Sequence, residues 1–281
     1  MRFESIRRAG YYLSRNPLSF AGIALVTVVA LVTLAAPLIA PFPKHIGAVV
    51  DFANSSKPPS IRNVFGTDQV GRDILSRTIF GLRTSLMLAM LVLVVAVPFG
   101  TVVGLVAGYF GRAVGATLMR LTDIFLALPP LVLAMVIMGL FEPTTINMLI
   151  AIAAMWWPWN ARLAYSLARS LKHEDYVEAS QVVGASHAHI IFREIFPNCI
   201  PAVLVKSTLD LAFVILLISS LGFVGLGVQP PTPDLGRMVS EGIRYMPFSW
   251  WISIFPGLVI MVAVSAFSLL GDGLRDALEE R

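Results

Sequence analysis

Three acids stand at the ends of long apolar runs, Asp123, Glu142 and Asp210, and three histidines, His173, His187 and His189, crowd one short polar stretch. A carboxylate inside a membrane carries protons, meets a cationic solute or is held by a partner, because an unpaired charge there is costly. Asp123 follows Arg120 by three residues and Asp210 follows Lys206 by four. Both spacings put the two charges on one helix face. They read as local ion pairs fixing helix ends rather than as a proton relay. Glu142, beside Pro143, either faces a solute path or is a solvated loop carboxylate. His187 and His189, two apart, fall on different faces of a helix, and the lone Cys199 offers no thiol set, so no metal site is expected. Cys199, near Pro197 and Pro201, reads as a small apolar filler. Gly222, Gly225 and Gly227 look like a reversed dinucleotide fingerprint, but no strand–turn–helix surrounds them. They read instead as a place for close packing and a helix break. No G-x-x-x-x-G-K-[ST] phosphate loop occurs, so this chain is not expected to be an ATPase.

The elements that must position these groups are set by composition. Of 281 residues, 57% are hydrophobic and 14% charged, and mean hydropathy is +0.79. Soluble domains carry roughly a quarter charged residues, so the class is all-α, integral to a membrane. A spanning helix needs about 20 apolar residues. Six windows qualify: 16–43, 84–111, 124–141 (reaching back to 118), 143–161, 211–233 (with a start near 203 as an alternative) and 245–271. Trp156, Trp157 and Trp159 cluster near one end of the fourth, and Trp250 and Trp251 open the sixth, as an interfacial belt would. Pro98, Pro129 and Pro130 are positioned to kink their helices. The expected organisation is a cytoplasmic tail over 1–17, a first membrane helix over 18–40 and an extracytoplasmic loop over 41–83. A five-helix core over 84–271 and a cytoplasmic tail over 272–281 complete it. The first apolar run is too long for a signal-peptide core and no cleavage pattern follows, so it is read as retained.

Six spans place both termini on one side. With the N-terminus inside, thirteen Lys and Arg fall on inner segments and eight on outer ones, which the positive-inside rule favours, although Arg77 and Arg83 count against it. The charge of +4 is dispersed, which speaks against nucleic acid as a partner. This orientation puts a polar island, DYVEASQVVGASHAHIIFREIFP from Asp175 to Pro197, in the cytoplasm. Asp175 is expected to cap a short helix with Glu178 completing a capping box, and Gly184 to end it in the left-handed conformation. Ala179, Val182 and Val183 would share one face, and a second short helix would show Ile191, Ile195 and Phe196 before Pro197 stops it. Two short helices joined at a glycine make either a knob that docks on another protein or an amphipathic loop lying on the membrane.

The spacing Glu178-Ala179-Ser180, Gly184, Pro197 resembles the EAA loop of bacterial ABC importer permeases. Phe65 to Leu86, Met119 to Leu133, Leu221 to Val239 and Gly271 to Leu278 are similar to segments of the dipeptide, oligopeptide and nickel branch of that family, in particular to its second permease subunit. Ser180 stands where a second Ala is usual, Phe196 where Leu is usual, and Glu194 directly precedes Ile195. The resemblance implies a type I ABC importer permease fold in the inner membrane of a bacterium. Its coupling loop would cover 170–197, with Asp175, Glu178, Ala179, Ser180, Gly184, Ala185, Ile195 and Pro197 as its residues. The resemblance implies as partners a homologous second permease, two ATPase subunits that use ATP and Mg, an extracytoplasmic solute-binding protein and membrane lipid, with no cofactor on this chain. Short peptides, dipeptides first, are the implied cargo, with nickel complexes and glutathione as alternatives. An ion-driven secondary transporter using Asp123 or Asp210, and a scaffold without transport, are readings from other classes. The absence of inverted repeats weighs against the first of these.

Overall fold

The computed structural model describes residues 17–279, so the expected tail over 1–17, apart from Pro17, and the last two residues of the 272–281 tail lie outside the described residues. The described chain is helix and loop, apart from one antiparallel bridge between Thr67 and Asp73. The helices of eight residues or more are α1 (Pro17–Leu34), α2 (Ile74–Phe110), α3 (Arg112–Leu126), α4 (Pro130–Leu140), α5 (Thr145–Leu171), α6 (Asp175–Val182), α7 (His187–Val224), α8 (Leu235–Ile243) and α9 (Trp251–Glu279).

By length and composition α1, α2, α7 and α9 can cross a bilayer, and α3 with α4 makes a fifth crossing if the pair, bent by 86°, counts as one broken span. This is fewer than the six windows read from the sequence. The third window is broken because Pro129 and Pro130 lack the N–H groups that would bond back to Phe125 and Leu126. The fourth is less apolar than a free-standing span because α5, though 27 residues long, carries Asn160, Arg162, Arg169 and three tryptophans. Boundaries move as well. Asp73 caps α2, its carboxylate accepting from the Ser76 N–H at 2.8 Å, so that helix starts ten residues before the expected span. Such a cap is worth about 1 kcal/mol. The last helix, α9, does not end near residue 271 but continues to Glu279, through most of the expected tail.

The centre of the bundle is the contact between α2 and α5. Gly100, Gly104 and Gly108, four residues apart, face a ridge that includes Ala161, Ala164 and Ala168, all fully buried. A Cβ on Gly104 would lie 2.2 Å from the Ala161 carbonyl oxygen. Small residues at this spacing let helix backbones touch, where dispersion and close approach drive association in lipid. Contacts advance in the same direction along both helices, so α2 and α5 run parallel. The bent pair α3–α4 therefore returns the chain from one end of the bundle to the other. Ser19 in α1 lies against Gly273 in α9, which brings the two ends of the described chain together.

The segment before α2, expected to be irregular, is irregular but pinned. The Asp68 carboxylate accepts from the backbone N–H groups of Val70 and Arg72 and from the Arg72 side chain at 2.7 Å. Arg77 approaches the same carboxylate at 3.7 Å and is 5% exposed. The Trp251 indole N–H donates to the Thr67 carbonyl, and Phe65 stacks on Phe255 at 4.1 Å. Arg77 is thus a paired charge inside a folded cap on the helix ends.

Candidate functional site

The polar island sits on a projecting base. At 1.5 Å per residue the 38 residues of α7 reach about 57 Å, against a hydrocarbon thickness of roughly 30 Å. Its start therefore extends beyond the apolar stretch that crosses the membrane. The first half of the island forms α6. Its N-cap is Glu174, with no side-chain cap, and Asp175 is the first helical residue. The expected capping box is therefore corrected. Asp175 and Glu178 are exposed acids in the first turn, where the positive end of the helix dipole favours them.

Gly184 ends α6 as expected, at φ +81°. The Ala185 N–H donates to the Ser180 carbonyl and the Gly184 N–H to the Gln181 carbonyl, both at 3.0 Å. These two bonds form a Schellman closure. A side chain at Gly184 would meet nothing within 4 Å, so the glycine is required by backbone conformation and not by space.

The two halves of the island bury different faces. Val177 is 0% exposed and packs with Leu105, Ala164, Ile190, Ile191, Ile195 and Cys199. Val182 and Val183 point the other way, 87% and 83% exposed, beside exposed Ala179. Ser180 and Ala185 are half-buried. The expected outward apolar side of the second helix is turned inward: Ile191 and Ile195 are core residues and Phe196 is half-buried. Cys199, fully buried in the same cluster, fills apolar space.

Pro197 does not stop the second helix. The chain continues through it, because residues Ile190–Ile195 form a π-helical turn and the Phe196 N–H reaches back five residues to the Ile191 carbonyl. The wider turn accommodates a proline ring that would crowd the carbonyl four residues earlier in a regular helix. The second half of the island and α7 are therefore one continuous lever.

Its foot is tied to the end of α2. The Lys172 ammonium donates to the Tyr109 carbonyl at 2.7 Å and lies 5.4 Å from the centre of the Tyr109 ring. The Tyr109 hydroxyl and His187 Nδ1 share a hydrogen bond at 2.9 Å, and the His187 ring also packs edge-on to Phe110. The Asn198 amide joins the halves, donating to the Tyr176 hydroxyl and the Glu194 carbonyl. Sequence reasoning missed this anchor. Its only sequence trace is an aromatic pair at the end of one apolar run and a lysine and histidine flanking the island.

The membrane charges divide three ways. Lys206 and Asp210 pair as expected at 2.6 Å, and the Asn160 amide on α5 adds a bond to the same carboxylate. Asp123 does not pair with Arg120 on its own helix. Its partner is Arg162 on α5, and both side chains are about half exposed. The local-pair expectation failed because α3 lies against α5, which brings another cationic side chain closer. Glu142 is exposed in the turn between α4 and α5, its carbonyl accepting from the Thr144 N–H and the Asn147 amide. At the far end of α7, Gly225 ends the helix at φ +92°, while Gly222 and Gly227 pack on the buried Asp234 carboxylate, whose Oδ1 accepts the Arg237 N–H. Burial raises the Asp234 pKa, partly opposed by backbone hydrogen bonds from Arg237, Val228 and Gly236 and by the Arg237 charge.

A helical bundle with this braced island has relatives among known proteins. Residues 100–281 match the family described as the binding-protein-dependent transport system inner membrane component, and residues 6–59 match the N-terminal TM domain of oligopeptide transport permease C. The dipeptide transport system permease protein DppC of Haemophilus influenzae is 38% identical over 274 residues, covering 96% of this chain and 93% of the relative. The protein of the same name in Escherichia coli K12 is 39% identical over 278 residues, covering 96% and 91%. Among solved structures, the inward-facing MetNI methionine ABC transporter aligns with a TM-score of 0.54 at 17% identity. The alignment covers 73% of this chain and 95% of that one.

Proposed function

The chain belongs to the binding-protein-dependent transport system inner membrane component family, and from that premise we propose that it passes dipeptides across the cytoplasmic membrane of a bacterium. It is a multi-pass permease subunit with the type I ABC importer fold. Family members work with ATPase and solute-binding partners. On our reading the pair of ATPase subunits binds ATP and Mg on the cytoplasmic side, where both termini and the Asp175–Pro197 island lie. A homologous second permease completes the path, and the binding protein delivers cargo from outside.

The observation that carries the coupling role is the orientation of the island. Ala179, Val182 and Val183 present an apolar face to solvent while Val177 and the isoleucines fasten the same element to the bundle. An exposed apolar face on a braced element suits insertion into a partner's groove. Because the second half of the island continues into α7 without a break, a push on it is delivered to a spanning helix as rigid-body motion. ATPase closure would thereby tilt α7 and open the path outward, and hydrolysis would return it inward.

The test is uptake of labelled dipeptide by cells lacking the chain, complemented with the wild type or with Gly184→Trp. Restoration by the wild type alone is expected. Equal uptake with and without the chain, in cells free of other dipeptide carriers, removes the dipeptide assignment. Equal restoration by both forms removes the island as the coupling element.

A further inference from the structure

The Asp123–Arg162 pair lies on the island side of the membrane-spanning bundle. Arg162 follows Ala161, whose carbonyl rests on Gly104 of α2. Gly104 is 21 residues from Arg83 and eight from Arg112, in a stretch free of charge. Those separations are about 31 Å and about 12 Å along a helix. Against a layer of roughly 30 Å the pair therefore lies in its island-side half, no more than about 12 Å from that edge, and its side chains are 48% and 50% exposed on the chain's outer surface. Charges at this depth face water or protein rather than lipid.

Beyond Arg162 on α5 the exposed neighbours are polar, whereas beside Asp123 on α3 they include Leu121 and Ile124. Ser166 and Arg169, four and seven residues beyond Arg162, are exposed, as is Arg120 one turn before Asp123. They form a polar, mainly cationic strip that runs from the pair toward the end of α5 that carries the island. In the opposite direction the exposed side chains of α5 turn apolar at Ile150 and Ile146. The strip thus ends at the ion pair and opens on the island side.

We propose that Asp123 and Arg162 bind the two charged ends of the cargo peptide, Arg162 taking the carboxylate and Asp123 the ammonium. This rests on the peptide reading above. A zwitterion can open the pair at little electrostatic cost, since each side chain exchanges one counter-charge for another. A peptide with blocked ends would separate the pair and leave both charges uncompensated. Charge-assisted hydrogen bonds of this kind account for discrimination.

The complete transporter, expressed with its own partner subunits in inside-out vesicles, supplies the test. Ser166→Cys serves as reporter for a membrane-impermeant thiol reagent, with the wild type, whose Cys199 is buried, as the blank. The reporter should label. Alanylalanine should protect it, and N-acetyl-alanylalanine amide should not. Arg162→Gln should label at the same rate without peptide but need at least about tenfold more alanylalanine for protection. Absence of labelling means that lipid or a partner subunit covers this face, and overturns the proposal. So does equal protection by the blocked peptide, a comparison that needs no change at Arg162. Chain-dependent dipeptide uptake with no protection refutes this site alone. Chain-independent uptake with no protection refutes both the site and the cargo.

Discussion

Replacing Val182 and Val183 together by alanine separates docking from folding. In the free chain both side chains are more than four-fifths exposed, so their loss should change stability by no more than about 0.5 kcal/mol. Each substitution removes two methyl groups, worth about 1.5 kcal/mol when fully buried against a partner. If both are buried on docking, the double variant loses about 3 kcal/mol, or roughly a hundredfold in affinity for the ATPase subunit. Val177→Ala removes the same atoms from a site that is 0% exposed. It should instead cost about 2 kcal/mol of local stability by leaving a cavity. The assay is binding of the purified ATPase subunit to the permease in lipid nanodiscs, paired with thermal unfolding and dipeptide uptake. The double variant should insert and melt as the wild type does, bind weakly and transport poorly. Wild-type binding and uptake by the double variant would show that this face is not the docking surface.

Three further outcomes follow from the packing. Gly184→Asn should retain most uptake and Gly184→Ala somewhat less, since a β-carbon in the left-handed region costs roughly 1 kcal/mol. Because the surroundings of Gly184 are open in this chain, any additional loss in Gly184→Trp reports a docked partner, measurable as the difference in uptake between the Ala and Trp forms. Gly104→Val should prevent assembly of the α2–α5 contact, with loss of folded protein from the membrane fraction, because the new Cβ would fall 2.2 Å from a carbonyl oxygen. Asp210→Ala should destabilise the bundle by about 3–5 kcal/mol by stranding the Lys206 ammonium. Lys206→Met combined with Asp210→Met should recover most of that loss in thermal unfolding. A double variant no more stable than the single one would mean that the pair contributes more than mutual neutralisation.

Much of this protein can be read along the chain because it follows from local periodicity and composition. Long runs without charge are at home in lipid, so the membrane class and most of the crossings were legible. Gly184 was legible because few residues other than glycine accept a left-handed helix end. Lys206 and Asp210 were legible because four residues on a helix bring two side chains together. The errors arose wherever a group's partner or its backbone geometry is set by packing. Asp123 looked paired with Arg120 until α3 lay against α5 and presented Arg162. Pro197 looked like a terminus until a π-helical turn absorbed its ring. The apolar faces of the island were visible as a pattern, but only packing decided that Ile191 and Ile195 turn inward while Val182 and Val183 turn out. Periodicity reports that a face is apolar. Which apolar face is left uncovered depends on the surfaces that the rest of the chain brings against it, and that is settled only when the helices assemble.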